Sequence, residues 1–92
     1  MPVRFTIHFK YKSKDQYVVV EQSQIEGKYG AFQYYQVFRD DAYLFSVCKV
    51  IDRHGISGWE LIEKDRSHYM PKSFIPVLGT WIDQYYLSKA LN

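Results

Sequence analysis

Val3-Arg4-Phe5-Thr6-Ile7-His8-Phe9-Lys10-Tyr11-Lys12 is the stretch that decides the fold. Apolar and polar residues alternate strictly along it, which is the period of a β-strand with one dry face and one wet face. On a helix the same apolar side chains would scatter around the whole circumference.

Working outward, Ser13-Lys14-Asp15-Gln16 is small and polar and suits a tight turn, and Tyr17 to about Glu26 resumes as a strand through Val18-Val19-Val20. These two runs read as a hairpin. Gly27-Lys28-Tyr29-Gly30 forms a corner, where glycine accepts backbone angles that a Cβ resists. A third strand follows from about Phe32 to Phe38, a turn at Arg39-Asp40-Asp41-Ala42, and a fourth strand from Tyr43 to Ile51. The fourth is apolar on both faces, with Tyr43, Phe45 and Val47 on one and Leu44, Cys48 and Val50 on the other, as in a central strand. The glycine-bounded loop Asp52–Gly58 leads to a fifth strand, Trp59 to Lys64.

From about Pro71 to Leu91 the period changes. Phe74, Leu78, Trp81, Ile82 and Tyr85 fall on one helical stripe, with Ser73 placed to cap the helix and Pro76 in its first turn. Trp81 is expected in the core. Gly79 is costly in mid-helix, so it marks close approach to the sheet or a contact site. The fold class is α+β: one domain over 1–92, a five-stranded, mainly antiparallel meander-like sheet with one C-terminal amphipathic helix packed on one face. Periodicity leaves open which face the helix covers.

Composition narrows the function classes. Nine Tyr, six Phe and two Trp in 92 residues make the chain aromatic for its size, and 47% hydrophobic content excludes the disorder signature. The net charge of +2 is too small for binding dominated by phosphate neutralisation, so nucleic acid is permitted rather than indicated. Cys48 is the single cysteine and carries no sign of an oxidising compartment. No apolar run approaches the roughly 18 residues of a membrane span, and a soluble cytoplasmic protein is expected.

Gly55-Ile56-Ser57-Gly58-Trp59-Glu60-Leu61 resembles the Gly-x-x-Gly-Trp-Glu-Leu segment of some small bacterial domains. The resemblance covers seven residues, carries no defined activity, and implies no function.

No catalytic motif is legible. His8, His54 and His68 lack metal-ligand spacing, so no metal or cofactor is expected. Asp52 and His54 form a candidate loop site, weighed against a solvated loop. Arg4, His8, Lys10 and Lys12 make a basic ladder on the first strand that could contact nucleic acid, weighed against edge protection by charge. The tyrosine excess suggests an exposed aromatic sheet face, with Tyr34, Tyr35, Tyr43 and Phe45 as the candidate interface. The expected function is a non-catalytic interaction module that self-associates, as a homodimer, or binds a protein partner through that face. The alternatives are a single-stranded nucleic-acid binder using the ladder and a small-molecule protein or enzyme with a pocket near Gly79, Trp81 and Trp59.

Overall fold

The computed structural model describes residues 3–27, 30–65 and 70–90. The element order is β1 (Arg4–Tyr11), β2 (Lys14–Gly27), β3 (Gly30–Arg39), β4 (Ala42–Ile51), β5 (Ser57–Lys64) and α1 (Phe74–Ala90). The strands form one antiparallel sheet in sequence order. This is the meander anticipated from the alternating runs. Lys28-Tyr29 of the expected corner, His68 and Leu91 lie outside the described residues.

Two hairpins are tighter than the residue types suggest. Tyr11 pairs with Lys14, so the turn is Lys12-Ser13 alone, and both residues have positive φ, 50° and 67°. Asp40-Asp41 repeats this geometry between β3 and β4, at 50° and 65°. Both are the primed turns whose twist matches that of the strands they join, although such turns usually recruit Asn-Gly or Asp-Gly. The missing glycine explains why the sequence pattern places the first turn two residues late.

The dry face of β1 (Phe5, Ile7, Phe9) continues across Val18 and Val20, Tyr35 and Val37, and Phe45 and Val47, all buried. The helix closes this layer with Phe74, Leu78 and Ile82. Full burial of such side chains stabilises by roughly 1.5–3 kcal/mol each. The helix reaches both edge strands: Tyr85 stacks on Phe5 at 3.7 Å, Trp81 lies over Phe9, and Gly79 sits against Trp59 of β5. Five flat strands would span about 19 Å at normal strand spacing, while a helix with its side chains is about 10–12 Å across. Long aromatic side chains bridge the difference, Trp81 and Tyr85 toward β1 and Trp59 from β5.

Three expectations are corrected here. Trp81 is 42% exposed, because it lies on the flank of the helix above β1 and offers the core only the ring face that meets Phe9. Tyr35 and Phe45 are buried under the helix rather than displayed, since Tyr35 pairs with Val47 and Val37 with Phe45 on the covered face. Tyr43 does not share that face. Val37 lies opposite Phe45 but Phe38 lies opposite Tyr43, so Leu44 is an extra residue in β4 that reverses the alternation. Ser73 bonds the Tyr11 hydroxyl through its own, and the helix begins at the next residue.

The ladder between β3 and β4 runs only from Arg39–Ala42 to Tyr35–Val47. Beyond it, Gly30 to Tyr34 pair with β2 alone, so the end of the β2–β3 hairpin projects as a two-stranded ribbon.

Candidate interface on the uncovered sheet face

Register fixes which side chains share the face turned away from the helix. β1 contributes Arg4, Thr6, His8 and Lys10, the wet positions of its alternation. Their cross-strand partners are Glu21, Val19, Tyr17 and Asp15, and β3 continues the row with Gln36 and Phe38. Beyond the bulge, Tyr43, Ser46 and Cys48 carry the face onto β4. On β5 it ends with Glu63 opposite Ser46 and Glu60 opposite Cys48, a second bulge at Ile62 keeping both carboxylates on this side.

The centre of the face is aromatic and internally ordered. Tyr17, 59% exposed, stacks on His8 with ring centroids 4.2 Å apart and planes within 3°. Phe38 meets Tyr43 edge to face at 5.9 Å, and the Arg4 guanidinium lies 5.6 Å above the Phe38 ring. Tyr43 Oη and Ser46 Oγ are hydrogen-bonded at 2.6 Å, which lets the Ser46 hydroxyl be buried with a partner. Tyr34 is half-buried at the start of the ribbon, opposite Ser23.

The basic ladder is not a row of free cations. Arg4 Nη1 lies 3.6 Å from Glu21 Oε2, and His8 Nε2 lies 3.2 Å from Asp15 Oδ1. Lys10 stands opposite Asp15 in register, and Lys12 belongs to the turn, its ammonium 5.5 Å from the Tyr11 ring. Three of the four ladder residues thus share a face with Tyr17 and Phe38, and each of the three has a carboxylate beside it.

The loop pair is not brought together as an acid–base site. Asp52 Oδ1 accepts hydrogen bonds from the backbone N–H groups of His54 (2.8 Å) and Ile56 (3.0 Å), and Gly55 turns the chain at φ 80°. The carboxylate holds the loop in shape, as Asp does in turns. Among the described residues no group of three His, Cys, Asp or Glu side chains could hold a metal ion. The space beneath Gly79 is filled by the Trp59 indole, whose Nε1 donates to Asp83 Oδ2 at 3.3 Å, while Lys49 Nζ lies 2.8 Å from Asp83 Oδ1. Burial, and then Glu60, pushes the Cys48 thiol above its usual range. Such a thiol is disfavoured as a nucleophile.

Tyr17 and Phe38 are the contact candidates that composition alone does not pick out. The signal for Tyr17 was parity across the first hairpin, once its turn is placed at Lys12-Ser13; Phe38 follows from the next register. Glu60 and Glu63 depend on a bulge that no residue pattern announces. Compared with family models, curated proteins and solved structures, the chain matches none. Among the described residues no helix is long and apolar enough to cross a membrane.

Proposed function

We propose that the protein is a non-catalytic interaction module that self-associates through the sheet face opposite the helix. The observation that carries this reading is the aromatic row Tyr17, Phe38 and Tyr43, left uncovered by the helix α1 and bordered by charges that already have partners on the same face. An amphipathic aromatic centre within a polar rim is the composition of protein contact surfaces. The accessible surface, 6877 Å², exceeds the roughly 5,600 Å² of a compact monomer of 11.0 kDa.

Carboxylates beside Arg4, His8 and Lys10 weigh against the nucleic-acid reading, because a phosphate would have to displace Glu21 and Asp15. Light scattering over a protein concentration series tests the proposal. The expected mass rises toward twice 11.0 kDa, and Tyr17→Asp or Phe38→Asp returns it to the monomer without loss of the fold. A wild-type mass that stays at 11.0 kDa throughout, or salt-sensitive oligonucleotide binding below micromolar that is lost with Lys10, overturns it.

A further inference from the structure

β1 is an edge of the sheet, and its outer backbone is in order for a further strand. Tyr11 and Lys14 close a two-residue turn, and Gln22 N donates to Val3 O at 2.8 Å. Hydrogen-bonded and non-bonded pairs alternate along an antiparallel ladder. Val3, Phe5, Ile7, Phe9 and Tyr11 are therefore the positions bonded to β2, and the N–H and C=O groups of Arg4, Thr6, His8 and Lys10 point away from the sheet. Among the described residues no strand lies beyond them.

Beside this edge the helix presents an aromatic flank. Tyr85 stacks on Phe5, and Trp81, still exposed, lies over Phe9. A strand added to β1 sets every second side chain on the helix side, level with Phe5, Ile7 and Phe9 and next to Trp81 and Tyr85. Those positions suit apolar residues. Its remaining side chains line up with Arg4, Thr6, His8 and Lys10 on the other face.

Charge selects what that strand can be. Glu21 and Asp15 approach Arg4 and His8 from the β2 side only, and Asp83, the one acidic residue of the helix, is held by Lys49 and Trp59 over β5. Among the described residues no ion pair involves Lys10, Lys12 or Lys89. Lys12 lies 5.5 Å from the Tyr11 ring at one end of the edge, and Lys89 lies 5.7 Å from the Tyr85 ring toward the other. A second copy is a poor occupant: antiparallel pairing of β1 with itself through the open groups sets Arg4 against Lys10 and Thr6 against His8. Like charges directly opposite destabilise a strand pair, and cations on an edge act against such pairing. An acidic strand meets cations along the whole edge and leaves Glu21 and Asp15 where they are.

We propose that the outer edge of β1 binds an extended acidic peptide segment by strand addition, with its apolar side chains against Trp81 and Tyr85 and its carboxylates beside Lys10 and the lysines at either end. Main-chain hydrogen bonds supply affinity in this mode, and the alternate side chains supply specificity. The site needs no self-association.

The probe is a peptide of about eight residues alternating glutamate with valine, the length that spans Arg4 to Lys10 at about 3.3 Å per residue. Its control alternates lysine with valine. Amide hydrogen exchange followed by NMR reads the site directly: in the protein alone the N–H groups of Arg4, Thr6, His8 and Lys10 exchange faster than those of Phe5, Ile7 and Phe9, and the acidic peptide is expected to slow the first set. Binding is expected to weaken with salt and to fall at least about tenfold in Lys10→Glu/Lys89→Glu. Thr6→Pro removes an outward N–H without touching a bond to β2 and is expected to abolish binding. Circular dichroism checks its folding, and if it fails, Trp81→Ala is expected to weaken the peptide while keeping the sheet. A Kd weaker than about 1 mM for the acidic peptide, equal binding of the lysine peptide, or binding that leaves the four outward amides exchanging as before overturns the proposal. So does a single-stranded oligonucleotide that binds more tightly than the acidic peptide and displaces it.

Discussion

Gly79 of the helix and Trp59 of β5 occupy one shared space: a Cβ built on Gly79 would lie 2.6 Å from the indole Nε1 and closer still to Cδ1 and Cγ. The glycine, unfavourable for helix propensity, is what lets the helix settle onto the edge strand with the indole beneath it. Asp83, one helical turn further on, then receives both the indole N–H and the Lys49 ammonium. Helix position and β4–β5 position are fixed together at this point.

Gly79→Ala is therefore expected to destabilise although alanine is the better helix former. The propensity gain is about 1 kcal/mol, and displacing a packed ring costs about 1–3 kcal/mol, so a net loss of up to about 2 kcal/mol is expected in urea titration. In a Trp59→Ala background the clash is gone and the same substitution should stabilise. A double-mutant cycle measures this reversal, and equal effects in both backgrounds would show that the ring does not set the constraint.

Leu78 and Trp81 separate the core from its margin. Leu78 is completely buried and Leu78→Ala should cost about 2–5 kcal/mol. Trp81 keeps 42% of its surface exposed, and loss of its contact with Phe9 should cost only about 1–2 kcal/mol, short of the cost of emptying a core site. Comparable losses for the two variants in chemical denaturation would return Trp81 to the core.

Much of the fold was legible because its signals are local. Strict alternation in β1, the Val18-Val19-Val20 run and the stripe through Phe74, Leu78 and Ile82 each name their element and its buried side. What period alone could not supply was the relation between neighbouring strands. Leu44 as an extra residue moves Tyr43 away from Phe45, and the extra Ile62 keeps Glu63 beside Glu60 on the open face. Each bulge is a property of two strands pairing, with no signature in either one. The burial of Tyr35 was hidden for a related reason: adjacent Tyr34 and Tyr35 look alike in sequence, and only the register to Val47 decides which turns inward. Trp81 was misplaced because period puts it on the apolar stripe without showing that this side of the stripe lies at the margin, over the edge strand β1.

Tyr86 provides a pH-dependent readout of the helix–sheet contact. Its hydroxyl donates to Gln22 Oε1 at 2.9 Å, and burial, reinforced by Tyr35 and Tyr85, pushes its pKa up to about 12. Burial also raises Tyr35. The folded pKa lies above the unfolded value of about 10, so the neutral phenol is favoured by folding. The stability this contributes is complete below pH ~10 and is lost as pH rises toward about 12. Absorbance near the phenolate band should show a late-titrating fraction among the nine tyrosines, reduced in Tyr86→Phe. Titration of all nine in one step around the ordinary value, with the fold intact, would contradict this placement.

Cys48 reports on the uncovered face without altering it. Its thiol is half-buried between Ser46 and Glu60 positions, and burial followed by Glu60 holds its pKa high. Alkylation near neutral pH should therefore be slower than for an unstructured thiol, since only the thiolate reacts. Because the residue lies on the proposed contact face, the rate should fall further as protein concentration rises and copies cover it. Tyr17→Asp, which leaves Cys48 in place, should label at a rate independent of concentration. If scattering shows a dimer while wild-type labelling stays insensitive to concentration, the dimer leaves Cys48 open, and its contact lies away from the β4 end of this face.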